Sequence, residues 1–234
     1  MTQAIVVLEP EALAGGAAGW LGLEVTGAIT ARGSCALALS GGRTPEPVYR
    51  ELAADSSIDW SRVDVFFCDE RAVPPDHPES NYRMVHRALL SRVPIPPSKV
   101  HRMEAERADR EAAAQEYERS LPSRLDVVLL GIGADGHTAS LFPDSAVVDE
   151  RRRLVLPVTG AKAPVDRLTI TPPVIEAARK VAVIATGEDK AAVVARALEG
   201  PLAPKAVPAQ LARRGVWFLD RAAAARLTPR RVGA

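Results

Sequence analysis

Residues 125–144 read LDVVLLGIGADGHTASLFPD, and this stretch decides the fold. Its first six residues are apolar apart from Asp126, which predicts a buried strand. Three glycines follow closely and allow the backbone to turn sharply or to pass close to a ligand. Polar side chains share this turn, and Phe142-Pro143 closes it. A buried strand that ends in glycines and polar groups is typical of a ligand site at a carboxyl strand end in an open α/β sheet.

The rest of the chain alternates in the same way between strand and helix patterns. Apolar runs predict further strands at 4–8, 35–39, 63–68, 100–103, 154–158, 167–171, 181–185 and 216–219. Helical spacing predicts helices at 10–30, 46–53, 82–92, 107–120, 172–179, 188–198 and within 207–214, followed by a helical tail. This alternation favours a mostly parallel sheet covered on both faces. Without a linker or repeat, residues 1–234 are predicted to form a single domain, with a proline-rich loop at 73–81 as the place for a lid.

Composition excludes several classes of protein. The chain has 234 residues, of which 47% are apolar and 25% charged, as in ordinary globular proteins. A net charge of +1 gives no reason to expect nucleic acid or a membrane as a partner. We found neither a signal peptide nor a run of about 18 uncharged apolar residues, so we expect a cytoplasmic protein. Cys35 and Cys68 fall in predicted strands and form no disulfide framework or zinc motif.

Residues 131–136, GIGADG, satisfy the G-x-G-x-x-G pattern of dinucleotide sites. That pattern requires a helix to begin at the glycines, so that its N-terminus meets the pyrophosphate. Residues 137–144 contain Phe-Pro-Asp and do not resemble a helix start. Asp149 and Glu150 also come too early for the acidic residue that binds the ribose. A nicotinamide cofactor is therefore disfavoured.

His137 is the candidate general base. An imidazole with an ordinary pKa of about 6.5 can accept a proton near neutral pH. Asp135, two residues before it, can orient the ring and stabilise its charged form. No second histidine or cysteine stands at ligand spacing, so no metal site is predicted. The other histidines, His77, His86 and His101, are expected to be structural.

Two further strand ends carry candidate ligand groups. Residues 40–45, SGGRTP, follow an apolar strand and precede a predicted helix, so their N–H groups are suited to cradle a phosphate. An ordinary turn is the alternative. Asp69-Glu70-Arg71 follows the next strand and is either a solvated strand end or part of a site. In a parallel sheet this end lies on the same edge as Ser40 and His137, which favours the site.

Two more cations complete the candidate set. Arg167 lies in DRLTITPP, and arginine is suited to bidentate phosphate binding. Lys190 lies at a predicted helix start, where a cation opposes the helix dipole, which suggests that it is placed for a ligand. A solvent-exposed lysine is the alternative there.

Five segments in this order resemble those of the 6-phosphogluconolactonase family: LALSGGRTPEPVYREL, VDVFFCDERAVPPDHPESNYRMVHRALL, DVVLLGIGADGHTASLFPDS, DRLTITPPVI and ATGEDKAAVV. The resemblance implies a Rossmann-like three-layer α/β/α sandwich with a mostly parallel sheet (NagB/RpiA/CoA transferase-like). It implies hydrolysis of 6-phospho-D-glucono-1,5-lactone in the oxidative pentose phosphate pathway. It further implies a small phosphosugar lactone as the ligand and no cofactor, and it leaves open whether the chain is a monomer or a weak dimer.

The resemblance also implies residue roles by position. His137 matches the histidine that activates water, Asp135 matches its acidic companion, and Arg71 matches an arginine that contacts the substrate. The implied substrate-binding residues are Ser40, Gly41, Gly42, Thr44, Asp69, Arg167 and Lys190. The last two are expected near the phosphate.

Two other functions are weighed against this one. Glucosamine-6-phosphate deaminase shares the implied fold, but its loop reads DGHIAFNEP, with a glutamate before the proline. Phe142 stands at that position here and cannot transfer a proton. A non-catalytic sugar-phosphate sensor is the other alternative, although no helix-turn-helix segment is evident. A general esterase would need the absent G-x-S-x-G elbow.

Overall fold

A computed structural model describes residues 4–160 and 163–228. The main sheet contains β1 (Ala4–Leu8), β2 (Cys35–Leu39), β3 (Val63–Phe67), β5 (Val127–Gly131), β8 (Lys180–Ala185) and β9 (Val216–Asp220). A second sheet contains β4 (Asp69–Arg71), β6 (Val155–Thr159) and β7 (Asp166–Ile170). The helices are α1 (Pro10–Arg32), α2 (Pro45–Ala53), α3 (Asn81–Ala88), α4 (Arg110–Ser120), α5 (Pro172–Ala177), α6 (Ala191–Glu199) and α7 (Arg221–Ala224).

The main sheet is parallel throughout, in the order β1-β9-β8-β5-β2-β3. All five residues of β2 are buried, as expected for a strand covered on both faces. From β2 the chain proceeds to β3 on one side and later to β5 on the other. The loops after β2 and β5 therefore diverge and leave a crevice at their carboxyl ends, which is where such sheets bind ligands. The predicted parallel sheet is confirmed.

The three-stranded sheet is a feature that sequence reasoning missed. β4 pairs antiparallel with β7, which pairs antiparallel with β6. Cys68 joins the two sheets, because its N–H donates to the Leu39 carbonyl while its own carbonyl accepts from Ile170 N–H. The strands predicted at 154–158 and 167–171 exist, but they lie outside the parallel sheet.

Several predicted element ends were wrong for local reasons. The helix predicted from 107 begins at Arg110, because Asp109 caps it by accepting a hydrogen bond from Ala112 N–H at 2.9 Å. The helix predicted to 92 ends at Ala88 and continues as a 3₁₀ turn. The strand predicted at 100–103 reduces to one bridge between Val100 and Val65.

Buried side chains from both sheets and their helices form one continuous hydrophobic cluster. Among the described residues, α1 alone is long and apolar enough to cross a membrane by length and composition. This is weak evidence for a span, since a core helix passes the same test. Leu21 and Val25 of α1 are fully buried, as in a core helix.

Candidate active site

A cavity of about 450 Å³ opens at the carboxyl ends of β2, β5 and β8. Its volume lies in the range of small-molecule sites. The predicted site residues that line it are Ser40, Gly41, Gly42, Thr44, Asp69, Arg71, His137, Arg167 and Lys190. Asp135 does not line it but is hydrogen-bonded to His137. The structure thus brings the predicted set together, while the role of each residue stays a prediction.

His137 and Asp135 form a close pair at the end of β5. His137 Nδ1 lies 2.6 Å from Asp135 Oδ1, and the same oxygen accepts the His137 backbone N–H at 3.2 Å. Partial burial disfavours ionisation of Asp135, but the charge of His137 and these hydrogen bonds outweigh it, so the pKa of Asp135 lies below its ordinary 3.8. An ionised carboxylate only accepts, so Nδ1 carries the proton and Nε2 is left as the basic nitrogen.

The glycines of the GIGADG segment leave room for this pair and shape the loop that carries it. A β-carbon at Gly133 would lie 2.0 Å from His137 Nδ1 and 2.5 Å from Asp135 Oδ1. The Gly133 N–H donates to the His137 carbonyl at 2.8 Å, and Gly136, with φ +98°, donates to the Gly133 carbonyl at 3.0 Å. No helix begins here among the described residues, so the geometry is unlike a dinucleotide turn.

Arg71 and Arg167 are directly opposed across the β4–β7 pair. Residues in such register project to the same face, where like charges repel. Burial lowers the pKa of Arg167, and Arg71 acts in the same direction. Arg71 Nε is buried without a hydrogen-bond partner among the described residues. A buried donor without a partner beside a second arginine is suited to hold an anion.

Asn81 is a cavity residue that sequence reasoning missed. Its Nδ2 donates to both the carbonyl and the Oδ1 of Asp69, each at 2.9 Å. A β-carbon at Gly41 would lie 1.7 Å from Asn81 Oδ1, so the glycine loop packs directly on this side chain. The only signal in the sequence was its place after Ser80, which caps α3 by accepting from Arg83 N–H.

Three more lining residues were not predicted as ligand groups. Arg43 adds a cation from the glycine loop. Thr186, after β8, lies with its Oγ1 3.3 Å from Thr44 Oγ1. Ala139 has φ +47°, which is uncommon for a residue with a β-carbon and typical of strain held at a site. Nothing in a single sequence marks these positions as different from an ordinary turn.

The loop at 73–81 is anchored at its end by Glu70. The buried carboxylate accepts hydrogen bonds from Ser80 Oγ and from the backbone N–H groups of Arg71, Asn81 and Tyr82. Burial raises the pKa of Glu70, although the N–H donors act in the opposite direction. Glu70 therefore holds the wall of the cavity, and a lid function of the loop stays a prediction.

The remaining histidines lie outside the cavity lining. His101 stacks on Phe66 and lies 3.0 Å from Asp64, while His86 packs against Tyr82. His77 accepts a hydrogen bond from Glu79 N–H within the proline-rich loop. Their predicted structural role fits these contacts.

Both cysteines are free and buried, as the strand patterns predicted. Burial raises the pKa of each thiol to about 12, which makes both unreactive. Within residues 4–160 and 163–228, no three histidine, cysteine or carboxylate side chains converge as a metal site would require.

Residues 8–218 match the model of the family described as glucosamine-6-phosphate isomerases/6-phosphogluconolactonase. The chain belongs to this family. A 6-phosphogluconolactonase of Streptomyces coelicolor is 40% identical over 246 residues, which cover 96% of this chain and 94% of that protein. A solved 6-phosphogluconolactonase structure from Trypanosoma brucei superimposes with a TM-score of 0.86 at 28% identity, covering 97% of this chain and 99% of that one.

The α/β/α fold of the family is therefore the fold of this chain. A monomeric glucosamine-6-phosphate deaminase superimposes with a TM-score of 0.82 at 23% identity, covering 97% of this chain and 100% of that one. Because both activities occur on this architecture, the fold alone does not separate lactonase from deaminase. That distinction depends on the side chains around His137.

Proposed function

We propose that this chain hydrolyses 6-phospho-D-glucono-1,5-lactone to 6-phospho-D-gluconate, with His137 activating the water. The proposal is supported most directly by one observation: a paired histidine and a set of cations line the same cavity. Relatives with this activity share about 40% of their residues with this chain over most of its length.

Neutral His137 takes a proton from a water molecule that attacks the lactone carbonyl. Ionised Asp135 holds the ring through Nδ1 and stabilises the imidazolium that forms. A general base placed in this way contributes a rate factor of about 10²–10⁴, which is roughly 3–5 kcal/mol. The bond between the carbonyl carbon and the ring oxygen then breaks, the ring oxygen takes the proton from the His137 imidazolium to become a hydroxyl, and the acid is released.

The tetrahedral oxyanion needs hydrogen-bond donors in the cavity wall. The N–H groups of Gly133 and Gly136 already donate to carbonyls of their own loop. The candidates that we propose are Arg71 and the backbone N–H groups of the loop 41–44. Gly42, with φ +107°, turns that loop beside the cavity.

The phosphate is assigned to the cationic wall. Arg167 and Lys190 hold it, and each charged hydrogen bond contributes about 1.5–3 kcal/mol. Because the phosphate lies far from the reacting carbon, these bonds serve mainly to hold the carbonyl over His137. Glycine-loop residues Ser40 and Thr44 complete the pocket in this assignment.

The deaminase alternative is disfavoured by Phe142. Its ring packs against His137, with centroids 5.1 Å apart, and offers no group that transfers protons. An assay on freshly prepared 6-phosphogluconolactone, corrected for spontaneous ring opening, tests the proposal; we expect turnover, with no ammonia released from glucosamine 6-phosphate. A calorimetric titration that shows phosphosugar binding without turnover would instead favour the sensor.

The remaining parts of the proposal follow from the reaction. The ligand is a small phosphosugar lactone, the enzyme needs no cofactor or metal, and it works in the cytoplasm on the oxidative pentose phosphate route. Partners among nucleic acids or membranes are not expected. A monomer or weak dimer stays a prediction for size-exclusion chromatography with light scattering.

A further inference from the structure

Asp69 is the one carboxylate among the described residues that line the cavity. The same cavity is also lined by four cations, namely Arg43, Arg71, Arg167 and Lys190. A carboxylate repels an incoming phosphate, so its presence in a phosphate-binding wall calls for a physical reason.

The oxygens of Asp69 are already engaged by the protein. Oδ2 accepts a hydrogen bond from Ser140 Oγ at 2.6 Å, and Oδ1 accepts from Asn81 Nδ2 at 2.9 Å. The residue is only 6% exposed. Since Asn81 opens α3 and Ser140 belongs to the loop that carries His137, Asp69 ties three segments of the site together.

The strand register places the same carboxylate beside the opposed arginines. Asp69 and Arg71 are two residues apart on β4 and share a face, which Arg167 of β7 also occupies. Arg167 Nη1 lies 3.9 Å from Asp69 Oδ2 and 3.5 Å from Ser140 Oγ. These distances allow charge attraction between the guanidinium of Arg167 and the carboxylate of Asp69.

We infer that Asp69 is a positioning residue, which acts with Ser140 as an internal counter-anion that holds the Arg167 guanidinium in place for the substrate phosphate. The attraction between Asp69 and Arg167 also opposes the fall in the pKa of Arg167 that burial causes. The identity of the phosphorylated substrate rests on the proposed function, whereas the effect on phosphate binding does not.

The direction in which Asp69→Asn changes the affinity for phosphate separates this role from simple repulsion. Asp69→Asn removes the negative charge but keeps the shape and can still bond to Ser140 and Asn81. If Asp69 only repelled the ligand, this variant would bind phosphate more tightly. If Asp69 positions Arg167, the variant binds phosphate about tenfold more weakly, despite the gain in net positive charge.

The experiment measures the Kd of inorganic phosphate by calorimetry, together with KM and kcat for the lactone. We expect Asp69→Asn and Ser140→Ala to raise both Kd and KM about tenfold, with kcat within about threefold, because Arg167 binds the phosphate in ground and transition states alike. Ser145→Ala is the matched control: it follows Ser140 closely in sequence, its hydroxyl is buried without a hydrogen-bond partner among the described residues, and it does not line the cavity.

Tighter or unchanged phosphate binding in either variant would overturn the inference. If Asp69→Asn fails to fold, Ser140→Ala decides alone, since it leaves every charge in place. Should the wild type bind phosphate but not hydrolyse the lactone, weaker phosphate binding by the variants would support the positioning role even though the proposed function fails.

Discussion

Gly133 is the residue on which the His137–Asp135 pair depends most directly. A β-carbon at this position would lie 2.0 Å from His137 Nδ1, so only glycine leaves room for the imidazole ring. We expect Gly133→Ala to lower kcat at least about tenfold by displacing the pair, because a misplacement of about 1 Å in a reacting group costs far more than this in some enzymes. Steady-state kinetics and circular dichroism of the folded variant measure the effect.

Gly19→Ala is the matched control for that change, because its β-carbon would meet nothing within 4 Å on an exposed face of α1. It should leave kcat unchanged and stabilise the helix by about 0.5–1 kcal/mol. Unaltered kcat in Gly133→Ala would mean that His137 works without its contact to Asp135.

His137→Ala tests the base itself. The kcat of the variant should fall by a factor of at least about 10², since no other imidazole among the described residues lines the cavity. His86→Ala, which removes an exposed imidazole outside that lining, is the control and should retain wild-type turnover. Stopped-flow assays on fresh lactone resolve the difference, and near-normal turnover in His137→Ala would remove this residue from the role.

Asp135 gives a prediction about pH and stability. Its pKa is lowered in the native state, so the stabilisation that its charge provides is fully present above the ordinary value of 3.8 and is lost as pH falls through the lower native pKa. Urea unfolding of the wild type and Asp135→Asn at a series of pH values should therefore show a difference that shrinks on acidification. A difference that grows toward acid pH would contradict the assigned direction.

For single residues, the sequence was informative where the interacting side chains are close together in the chain. His137 and Asp135 stand two residues apart after a buried strand, so their pairing could be expected from the chain alone. Asn81 and Thr186 could not, because each reaches the cavity from a different segment. Their contacts, to Asp69 and Thr44, span 12 and 142 residues of sequence.

Among the elements, β4 has the greatest consequence for the site. Three residues, Asp69-Glu70-Arg71, look like a charged strand end, and alternation is not evident in so short a segment. In the structure they form a strand whose two faces differ: Asp69 and Arg71 line the cavity, while Glu70 points to the start of α3. The antiparallel partner β7 is nearly a hundred residues away, which is why the second sheet could not be predicted.

Glu70→Gln tests how strongly β4 holds α3. The amide nitrogen of glutamine cannot accept, so two of the donors now bonded to the carboxylate would be left unsatisfied in a buried place. We expect a loss of about 2–4 kcal/mol in the free energy of unfolding by chemical denaturation. Glu51→Gln, on the exposed face of α2, should change it by less than about 0.5 kcal/mol, and equal effects of the two would argue against the anchor.

At the scale of the whole molecule, the parallel order of the main sheet was the most predictable feature. Apolar strands alternating with helices favour one layered architecture, and connections in such sheets are strongly restricted. The order β1-β9-β8-β5-β2-β3, in contrast, returns the last strand beside the first. That pairing depends on tertiary packing between the two ends of the described chain, and no local pattern encodes it.

The way in which distant segments of the chain build one cavity gives the last prediction. The cavity is built from segments between Ser40 and Lys190, and the hydrophobic cluster is continuous, so ligand binding should stabilise the chain as one unit. With 6-phosphogluconate at about 100 times its Kd, the gain is about 2.7 kcal/mol, or a rise in Tm of about 5–10 °C in a single transition. Gluconate, which lacks the phosphate that Arg167 and Lys190 would bind, should give almost none. Two calorimetric transitions, with the ligand moving only one, would contradict the single-domain prediction, and an equal rise with gluconate would contradict the role of the cationic wall.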